Sequence, residues 1–275
     1  MNLRLSRMVI AMAEEQGISR ANPERSFHDS CLIVIPALNE EATVRDVVQN
    51  FRRRGFSRIR VVDNGSSDVT AQRACAAGAD VLIEPRRGYG QACQRGLKSI
   101  PRSSAWVLFC DADGSDNLDD VDLMIAAARG GADLVLGNRF ATKPGREAMT
   151  RIQRLGNNLV SRLIERGWGV PFADFGPLRL IRRQAFDDID MRERSFGWNV
   201  VMQIRAIEMG LRIAEVPVRY RSRQGGKSKI SGSFLAAVCA GFGILHAVAG
   251  LYFAPKRSSS AGEAPALEQR RTRSI

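Results

Sequence analysis

Two aspartates, Asp111 and Asp113, stand two residues apart directly after the apolar run 106–110, which is rich in β-forming residues. Such a run, bounded by a turn signal, predicts a buried strand. Because alternate side chains of an extended backbone point the same way, both carboxylates can face one point beyond the end of this strand. Adjacent carboxylates repel, and a divalent cation that also binds phosphate oxygens relieves the repulsion. The alternative is a helix-initiating turn, in which Asp113 or Asp116 caps a helix that begins near Asp119.

Polar residues also follow two earlier predicted strands. Asn39 and Glu40 come shortly after the strand 31–35. Asp63 comes directly after the strand 58–62, where its carboxylate could accept hydrogen bonds from a ribose or a base. The alternative for Asp63 is a turn residue that bonds its own backbone. Neither the glycine-rich dinucleotide fingerprint nor the phosphate-loop lysine motif is present, so the sequence indicates a nucleotide site without the usual glycine signatures.

The elements that must position these residues alternate between strand and helix patterns. This alternation predicts an α/β fold, a doubly wound and mostly parallel sheet with helices on both faces. In such a sheet, ligands bind outside the carboxyl ends of the strands. The predicted strands are 31–35, 58–62, 80–83, 106–110 and 133–137, and the helices between them are 40–54, 68–77, 91–99 and 119–129.

The pattern changes in the second half of the chain. A helix is predicted over 151–166, and we expect its apolar stripe to face the core. That stripe consists of Ile152, Leu155, Leu159 and Leu163. The remaining predicted elements are a loop entering a strand over 174–183, a helix over 196–209, a strand over 211–220 and a basic, glycine-rich loop up to residue 232.

Charge is spread unevenly along the chain, whose formal net charge is +12. Residues 31–138 contain 13 basic and 14 acidic side chains, whereas residues 139–229 contain 19 basic and 9 acidic ones. The basic half suits an anionic substrate, a phospholipid surface or nucleic acid. No basic motif interleaved with aromatic residues stands out, and this argues against nucleic acid.

The two ends of the chain are expected to lie outside the folded domain 31–232. Residues 1–30 are predicted to form a poorly ordered extension, with a short amphipathic helix as the alternative, and their apolar run is too short for a signal peptide. An uncharged apolar helix is predicted over 233–253, and three placements of it remain open: on a membrane surface, packed on the core, or across a bilayer. Residues 254–275 are rich in Ser, Ala and Arg and are predicted to be a disordered basic tail.

Several motifs in this order resemble the family 2 glycosyltransferases, and within them the dolichol- or polyprenyl-phosphate mannosyltransferase-like group. They are I-V-I-P-A-L-N-E-E, V-V-D-N-G-S-S-D, G-Y-G, C-D-A-D-G, D-L-V-L-G-N-R, D-F-G-P-L-R and E-V-P-V-R-Y followed by G-G-K-S-K. The resemblance covers about residues 31–235. It implies a GT-A fold, a GDP-mannose or UDP-hexose donor, a Mg²⁺ or Mn²⁺ ion, and inversion at the anomeric carbon.

The resemblance also assigns roles by position. It places a first nucleotide-contacting loop at Pro36, Leu38, Asn39 and Glu40, a nucleoside contact at Asp63, and the D-x-D motif at Asp111, Ala112 and Asp113, whose two aspartates would hold the metal. It further implies that Arg139 lies in the donor and acceptor phosphate region, and that Arg221, Lys227 and Lys229 belong to a mobile basic loop near the diphosphate, which we expect to order when donor binds.

The acceptor decides whether a general base is needed. A phosphate acceptor is already ionised and needs only positive residues to position it, for which Arg139 and Arg151 are candidates. A hydroxyl acceptor needs a base, and Asp174 is the candidate, with a loop-capping residue as the alternative. We expect an inverting transferase that uses polyprenyl phosphate, with a soluble enzyme acting on a hydroxyl as the runner-up. A nucleotidyltransferase would carry a glycine-rich early loop, which residues 36–41 do not form.

Domain boundaries and location follow from these assignments. Residues 31–138 would form the nucleotide-binding half, and residues 139–232 the acceptor half with the basic loop.

The five cysteines are odd in number and lack metal-ligand spacing, which indicates buried reduced thiols in a cytosolic protein. We therefore expect a cytoplasmic enzyme that is peripheral at the inner face of the cell membrane, with an anionic membrane surface as a partner.

Overall fold

A computed structural model describes the backbone of residues 23–223 and 234–253 and the side chains of residues 26–223 and 241–253. Within these residues, seven strands form one sheet in the order β3-β2-β1-β4-β6-β5-β7, and only β6 runs antiparallel to its neighbours. The strands are β1 (Cys31–Ala37), β2 (Arg58–Asp63), β3 (Asp80–Ile83), β4 (Trp106–Phe109), β5 (Leu134–Asn138), β6 (Arg179–Arg182) and β7 (Ile213–Pro217). The predicted doubly wound, mostly parallel sheet is confirmed.

Helices cover the sheet and connect its strands. The α-helices are α1 (Pro23–Asp29), α2 (Val44–Arg53), α3 (Thr70–Ala76), α4 (Tyr89–Gly96), α5 (Val121–Arg129), α6 (Lys143–Ala148), α7 (Arg151–Trp168), α8 (Arg183–Asp188), α9 (Trp198–Glu208) and α10 (Phe234–Phe253). Two 3-10 turns, Leu118–Asp120 and Arg139–Ala141, precede α5 and α6.

Strand β1 shows why the centre of the sheet is stable. All seven of its residues are buried, as expected for a parallel strand covered on both faces. Ile33 and Ile35 point into one apolar cluster, and Leu32 and Val34 point into the other. The two clusters therefore sandwich the sheet, and β1 anchors both of them.

The chain changes direction beside β1. It continues from β1 outward to β2 and β3, and then returns to place β4 on the other side of β1. Such a reversal opens a crevice between the loops at the carboxyl ends of the two adjacent strands. The loops that follow β1 and β4 carry Asn39, Glu40, Asp111 and Asp113, so the fold brings these polar residues to the same crevice.

The predicted extension ends earlier than expected. Helix α1 occupies part of the segment 1–30, and its Phe27 is buried and stacks on Trp106 at 5.5 Å between ring centroids. The folded domain therefore begins by Pro23 rather than at residue 31. Residues 1–22 and the predicted tail 254–275 lie outside the described part of the chain.

Helix α7 forms where it was predicted, but of the four residues predicted to face the core only Leu163 packs against it. Ile152, Leu155 and Leu159 are exposed, whereas Asn157 and Ile164 are buried. Both sets recur at helical spacing, so periodicity alone could not select between them. Hydrogen bonds to the loop beneath the helix decide the orientation, because the Asn157 side chain donates to the Ala173 carbonyl at 2.8 Å and accepts from a backbone N–H at 3.3 Å.

Cysteine burial was also predicted only in part. Cys31, Cys93 and Cys110 are buried free thiols, but Cys75 on α3 is exposed. The side chain of Cys239 lies outside the described residues.

Helix α10 occupies the predicted uncharged run and packs on the domain along one side. Val248 is buried, Ala247 lies against Gly197, and Tyr252 makes an edge contact with the Trp168 ring of α7. Phe253 points to solvent. No helix built from residues with described side chains is long and apolar enough to cross a membrane.

Candidate active site

The acidic pair lies in a tight turn at the carboxyl end of β4. Gly114 has a φ of 71°, a left-handed conformation that glycine adopts without strain, and it lets the chain reverse directly after Asp113. Asp113 is buried, and its Oδ1 accepts hydrogen bonds from the Ser115 backbone N–H at 2.9 Å and the Ser115 hydroxyl at 2.5 Å. These bonds hold the Asp113 carboxylate in one orientation.

Three carboxylates share this turn. Burial, together with the charges of Asp113 and Asp116, raises the pKa of Asp111 well above its usual range. Burial and the Asp113 charge raise the pKa of Asp116 to about 7. The Tyr89 hydroxyl donates to Asp111 Oδ1 at 3.3 Å. The raised pKa values mean that ionising these carboxylates together is unfavourable without a counter-charge, and a bound cation would supply that charge.

The donor chemistry fits a hard divalent ion. Asp111 and Asp113 offer carboxylate oxygens, which Mg²⁺ and Mn²⁺ accept as ligands. Among residues with described side chains, no group of three or more His, Cys, Asp or Glu is arranged to hold a metal alone. An ion held here would therefore take further ligands from water or from a bound diphosphate, as Mg²⁺ does in nucleotide sites.

A residue that the sequence analysis missed faces this cluster. Arg223 forms ion pairs with Asp113 Oδ2 at 3.1 Å and with Glu40 Oε1 at 2.8 Å. It thereby joins the loops that follow β1 and β4. The signal available in the sequence was its position in the predicted basic loop, from which only Arg221, Lys227 and Lys229 were selected.

The first residues of the basic loop lie on the acidic turn. The Arg221 backbone N–H donates to the Ser115 carbonyl at 3.0 Å, and its Nε donates to the Gly114 carbonyl at 3.1 Å. Arg221 is therefore brought to the predicted metal site. Lys227 and Lys229 lie outside the described residues.

The predicted nucleotide-contacting loop leaves β1 beside β2. Pro36 pairs with Val62 within the sheet, and Ala37 pairs with Asp63. Leu38 is half-buried where the loop begins. Asn39 follows with a φ of 51°, a left-handed value that Asn tolerates better than most residues. The loop therefore starts next to the predicted nucleoside contact.

Side-chain bonds fix the shape of this loop. Asn39 Oδ1 accepts from the Ser67 backbone N–H at 2.8 Å, and the Glu40 backbone N–H donates to Thr70 Oγ1 at 2.8 Å. Asp63 Oδ1 accepts from the Ser66 backbone N–H at 2.7 Å. One oxygen of Asp63 therefore bonds the backbone of its own turn, as the turn-residue alternative predicts. The Ala112 carbonyl accepts from Thr43 Oγ1 at 2.7 Å and is thus directed toward the helix that follows this loop.

Arg139 and Asp174 form a two-point ion pair. Arg139 Nε donates to Asp174 Oδ2, and one Nη donates to Oδ1, both at 2.7 Å. Burial alone would lower the pKa of Arg139, but the charge and hydrogen bonds of Asp174 raise it above its ordinary value. The guanidinium also lies 4.9 Å from the centre of the Tyr220 ring.

This pairing bears on the candidate base. Asp174 is 1% exposed, and both of its oxygens accept hydrogen bonds from Arg139. Its Oδ1 also accepts from the Phe175 backbone N–H at 2.7 Å, the contact expected of a loop-capping residue. The geometry favours a positioning role for Asp174 over proton abstraction. Arg151, the other predicted phosphate ligand, is exposed at the start of α7.

A neighbouring carboxyl group gives a prediction about pH and stability. Burial raises the pKa of Glu215 from 4.5 to about 7. A hydrogen bond from the Ala173 N–H opposes this rise, and the charge of Asp174 adds to it. A carboxyl whose pKa is raised on folding destabilises the fold when it ionises, so this cost appears as pH rises from about 4.5 to about 7.

Glu215→Gln should therefore leave stability unchanged in acid and increase it above pH 7 by about 1–3 kcal/mol. The amide oxygen can keep the bond from Ala173. Urea unfolding over a pH series measures the effect, and exposed Glu147→Gln is the matched control. Equal curves for wild type and Glu215→Gln would contradict this assignment.

Known proteins resemble this chain in sequence and in fold. Residues 32–190 match the family model described as Glycosyl transferase family 2. An uncharacterised glycosyltransferase of Mycobacterium tuberculosis is 35% identical over 212 residues, covering 77% of this chain and 94% of that protein. A dolichyl-phosphate hexose transferase of Haloferax volcanii is 32% identical over 199 residues, covering 72% of this chain and 85% of that protein.

A solved structure shares the architecture. It is glucosyl-3-phosphoglycerate synthase from Mycobacterium tuberculosis in complex with Mn²⁺, UDP-glucose and phosphoglyceric acid. The TM-score is 0.68 at 20% identity, over 87% of this chain and 86% of that one. At this identity the likeness concerns the fold, and it confirms the predicted GT-A arrangement.

Proposed function

This chain belongs to glycosyl transferase family 2 and is a glycosyltransferase, and from that premise we propose that it moves a hexose from a nucleotide sugar to a polyprenyl phosphate with inversion at the anomeric carbon. The donor class is GDP-mannose or UDP-hexose. The observation that carries the donor half of the proposal is the buried acidic turn at the crevice, where Asp111 and Asp113 lie beside the loop that follows β1.

Each residue of the crevice has a role that its contacts support. Asp63 and the loop at Asn39 lie where the nucleoside would bind, next to each other at the carboxyl ends of β1 and β2. When bound by Asp111 and Asp113, Mg²⁺ or Mn²⁺ would stabilise the negative charge of the departing diphosphate as a Lewis acid. Arg221 lies on the same turn and would add positive charge to that leaving group.

The Arg139–Asp174 pair supports a phosphate acceptor. A hydroxyl acceptor needs a base that can take its proton, whereas both oxygens of Asp174 are engaged by Arg139. A phosphate oxygen is already anionic and attacks without proton removal, so such an acceptor requires positioning alone. The similarity to a dolichyl-phosphate hexose transferase supports the same acceptor class.

A panel of donors and acceptors tests the proposal. Nucleotide sugars would be supplied with Mg²⁺ or Mn²⁺ and either a polyprenyl phosphate or the corresponding alcohol, and sugar-bearing lipid would be detected by mass spectrometry. We expect transfer to the phosphate and not to the alcohol, release of nucleoside diphosphate, and a β-linked product from an α-linked donor. Transfer only to an alcohol or to a hydroxyl of phosphoglyceric acid would favour the runner-up.

Arg223 gives a second test that does not depend on knowing the substrate. Because its guanidinium pairs with Asp113 and Glu40, it competes with any cation that binds Asp113. Arg223→Gln should therefore bind Mn²⁺ about three- to tenfold more tightly without nucleotide. Electron paramagnetic resonance of free Mn²⁺ measures this, with exposed Arg192→Gln as the control. Weaker Mn²⁺ binding by Arg223→Gln would show that the pair is not competitive.

A further inference from the structure

The outer face of α7 carries an apolar stripe that the domain leaves uncovered. Ile152, Leu155 and Leu159 are 62%, 72% and 48% exposed, and they are spaced three and four residues apart on one side of the helix. The opposite side is buried against the domain through Asn157 and Ile164. Three neighbouring large aliphatic side chains in water are unfavourable, so the stripe indicates an interaction surface.

Positive charge surrounds the stripe. Helix α7 contains four exposed arginines and one glutamate, and within the described chain none of the four arginines forms an ion pair. They are Arg151, Arg154, Arg162 and Arg166. An amphipathic helix with aliphatic residues between arginines is suited to a surface with negative charge above an apolar layer.

We propose that this outer face of α7 docks on the surface of an anionic phospholipid bilayer. The stripe would enter the boundary between headgroups and acyl chains, and the arginines would meet lipid phosphates. The inference deepens the proposed function, on which it rests for its biological purpose. It assigns membrane contact to α7, whereas the sequence had indicated only the uncharged segment that forms α10.

Charge argues against other occupants of this face. In a symmetric dimer the same patch would face itself, bringing two sets of unpaired arginines together. Segments of this chain outside the described residues are poor partners as well, because 1–22, 224–233 and 254–275 each contain more basic than acidic residues. An anionic bilayer offers both the apolar layer and the complementary charge.

The contacts beneath α7 connect this face to the candidate site. The Asn157 side chain donates to the Ala173 carbonyl, and Ser161 Oγ donates to the Phe172 carbonyl at 2.6 Å. The loop held in this way carries Asp174, the partner of Arg139. Docking through α7 would therefore hold the Arg139 region at a set distance from the lipid phosphates, where a polyprenyl phosphate has its reactive group.

Vesicle flotation of the full chain tests the proposal. The vesicles would contain phosphatidylcholine alone, or equal parts of phosphatidylcholine and phosphatidylglycerol. We expect wild type to float with the anionic vesicles, and the triple variant Ile152→Ser, Leu155→Ser, Leu159→Ser to partition at least about tenfold less. The double variant Arg154→Gln, Arg162→Gln should bind the anionic vesicles more weakly than wild type, and this difference should shrink as the salt concentration rises.

Two controls isolate α7 from general surface hydrophobicity. Ile83→Ser with Leu123→Ser removes exposed aliphatic side chains from β3 and α5 and should float like wild type. Phe242→Ser with Phe253→Ser removes exposed aromatic side chains from α10. Circular dichroism of each variant checks the fold. Binding that is lost only with the α10 variant would overturn the proposal in favour of α10.

Failure of docking and failure of the proposed function give different results. Sugar transfer to detergent-solubilised polyprenyl phosphate should survive in the triple variant, because none of the three substituted side chains is a candidate site residue. Transfer by a wild type that stays off anionic vesicles would overturn docking and keep the function. Vesicle binding through α7 without sugar transfer from any donor would keep docking and overturn the proposed function. A dimer seen by light scattering and lost in the triple variant would identify a second copy as the occupant and overturn the proposal.

Discussion

Asp113→Asn should abolish sugar transfer, lowering turnover by at least about a thousandfold, while leaving the fold intact. The substitution removes one negative charge from the acidic turn, where a metal and diphosphate would bind. The amide oxygen can still accept the bonds from the Ser115 N–H and hydroxyl that hold residue 113 in place. The turn should therefore keep its shape and lose its affinity for a cation.

Two measurements separate loss of chemistry from loss of structure. Thermal unfolding should change little, whereas Mn²⁺-dependent binding of a nucleoside diphosphate, measured by calorimetry, should weaken strongly. Asp188→Asn is a matched control, because Asp188 is exposed on α8 and accepts a hydrogen bond from the neighbouring Gln184 side chain. An Asp113→Asn protein with near-normal metal-dependent transfer would show that the acidic pair is not the metal and diphosphate site.

The second large effect is expected on stability, from breaking the Arg139–Asp174 pair. Arg139→Met should destabilise the protein by about 3–5 kcal/mol, because it leaves the Asp174 carboxylate buried without its partner. The carboxylate is 1% exposed and cannot be rehydrated in place. Urea unfolding at neutral pH measures the loss.

A double variant tests whether the cost comes from the unpaired charge. Arg139→Met with Asp174→Leu removes both partners and should recover part of the lost stability. The exposed pair of Arg183 and Asp187 supplies the comparison, since Arg183→Met should cost less than about 1 kcal/mol. If Arg139→Met costs no more than Arg183→Met, the buried pair does not hold the 174 loop in the way we describe.

Local sequence was sufficient to predict the strands and helices of the sheet and the acidic turn. The apolar runs of β1 and β4 and the helices between them follow from side-chain patterns of a few residues, and these patterns report burial directly. The D-A-D-G segment was identified because two carboxylates placed together after a buried strand repel each other, and a bound cation relieves that repulsion. Asn39, Glu40 and Asp63 were likewise identified from their positions after strands.

Contacts between distant parts of the chain were beyond such reasoning. Arg223 meets Asp113 across 110 positions of sequence, and Arg139 meets Asp174 across 35, so neither pairing leaves a local pattern. The antiparallel direction of β6 depends on how the chain returns between β4 and β5, which the strand's own composition does not encode.

By itself, then, the sequence determined the α/β class, the positions of the strands and of most helices, and the residues at the carboxyl ends of β1, β2 and β4. The tertiary structure decided which side of α7 is buried and which cation faces the acidic turn. The physical reason is the same in both cases. A helix with apolar residues on two sides, or a loop with several arginines, has alternatives of similar local energy, and only packing and hydrogen bonding with remote segments select one of them.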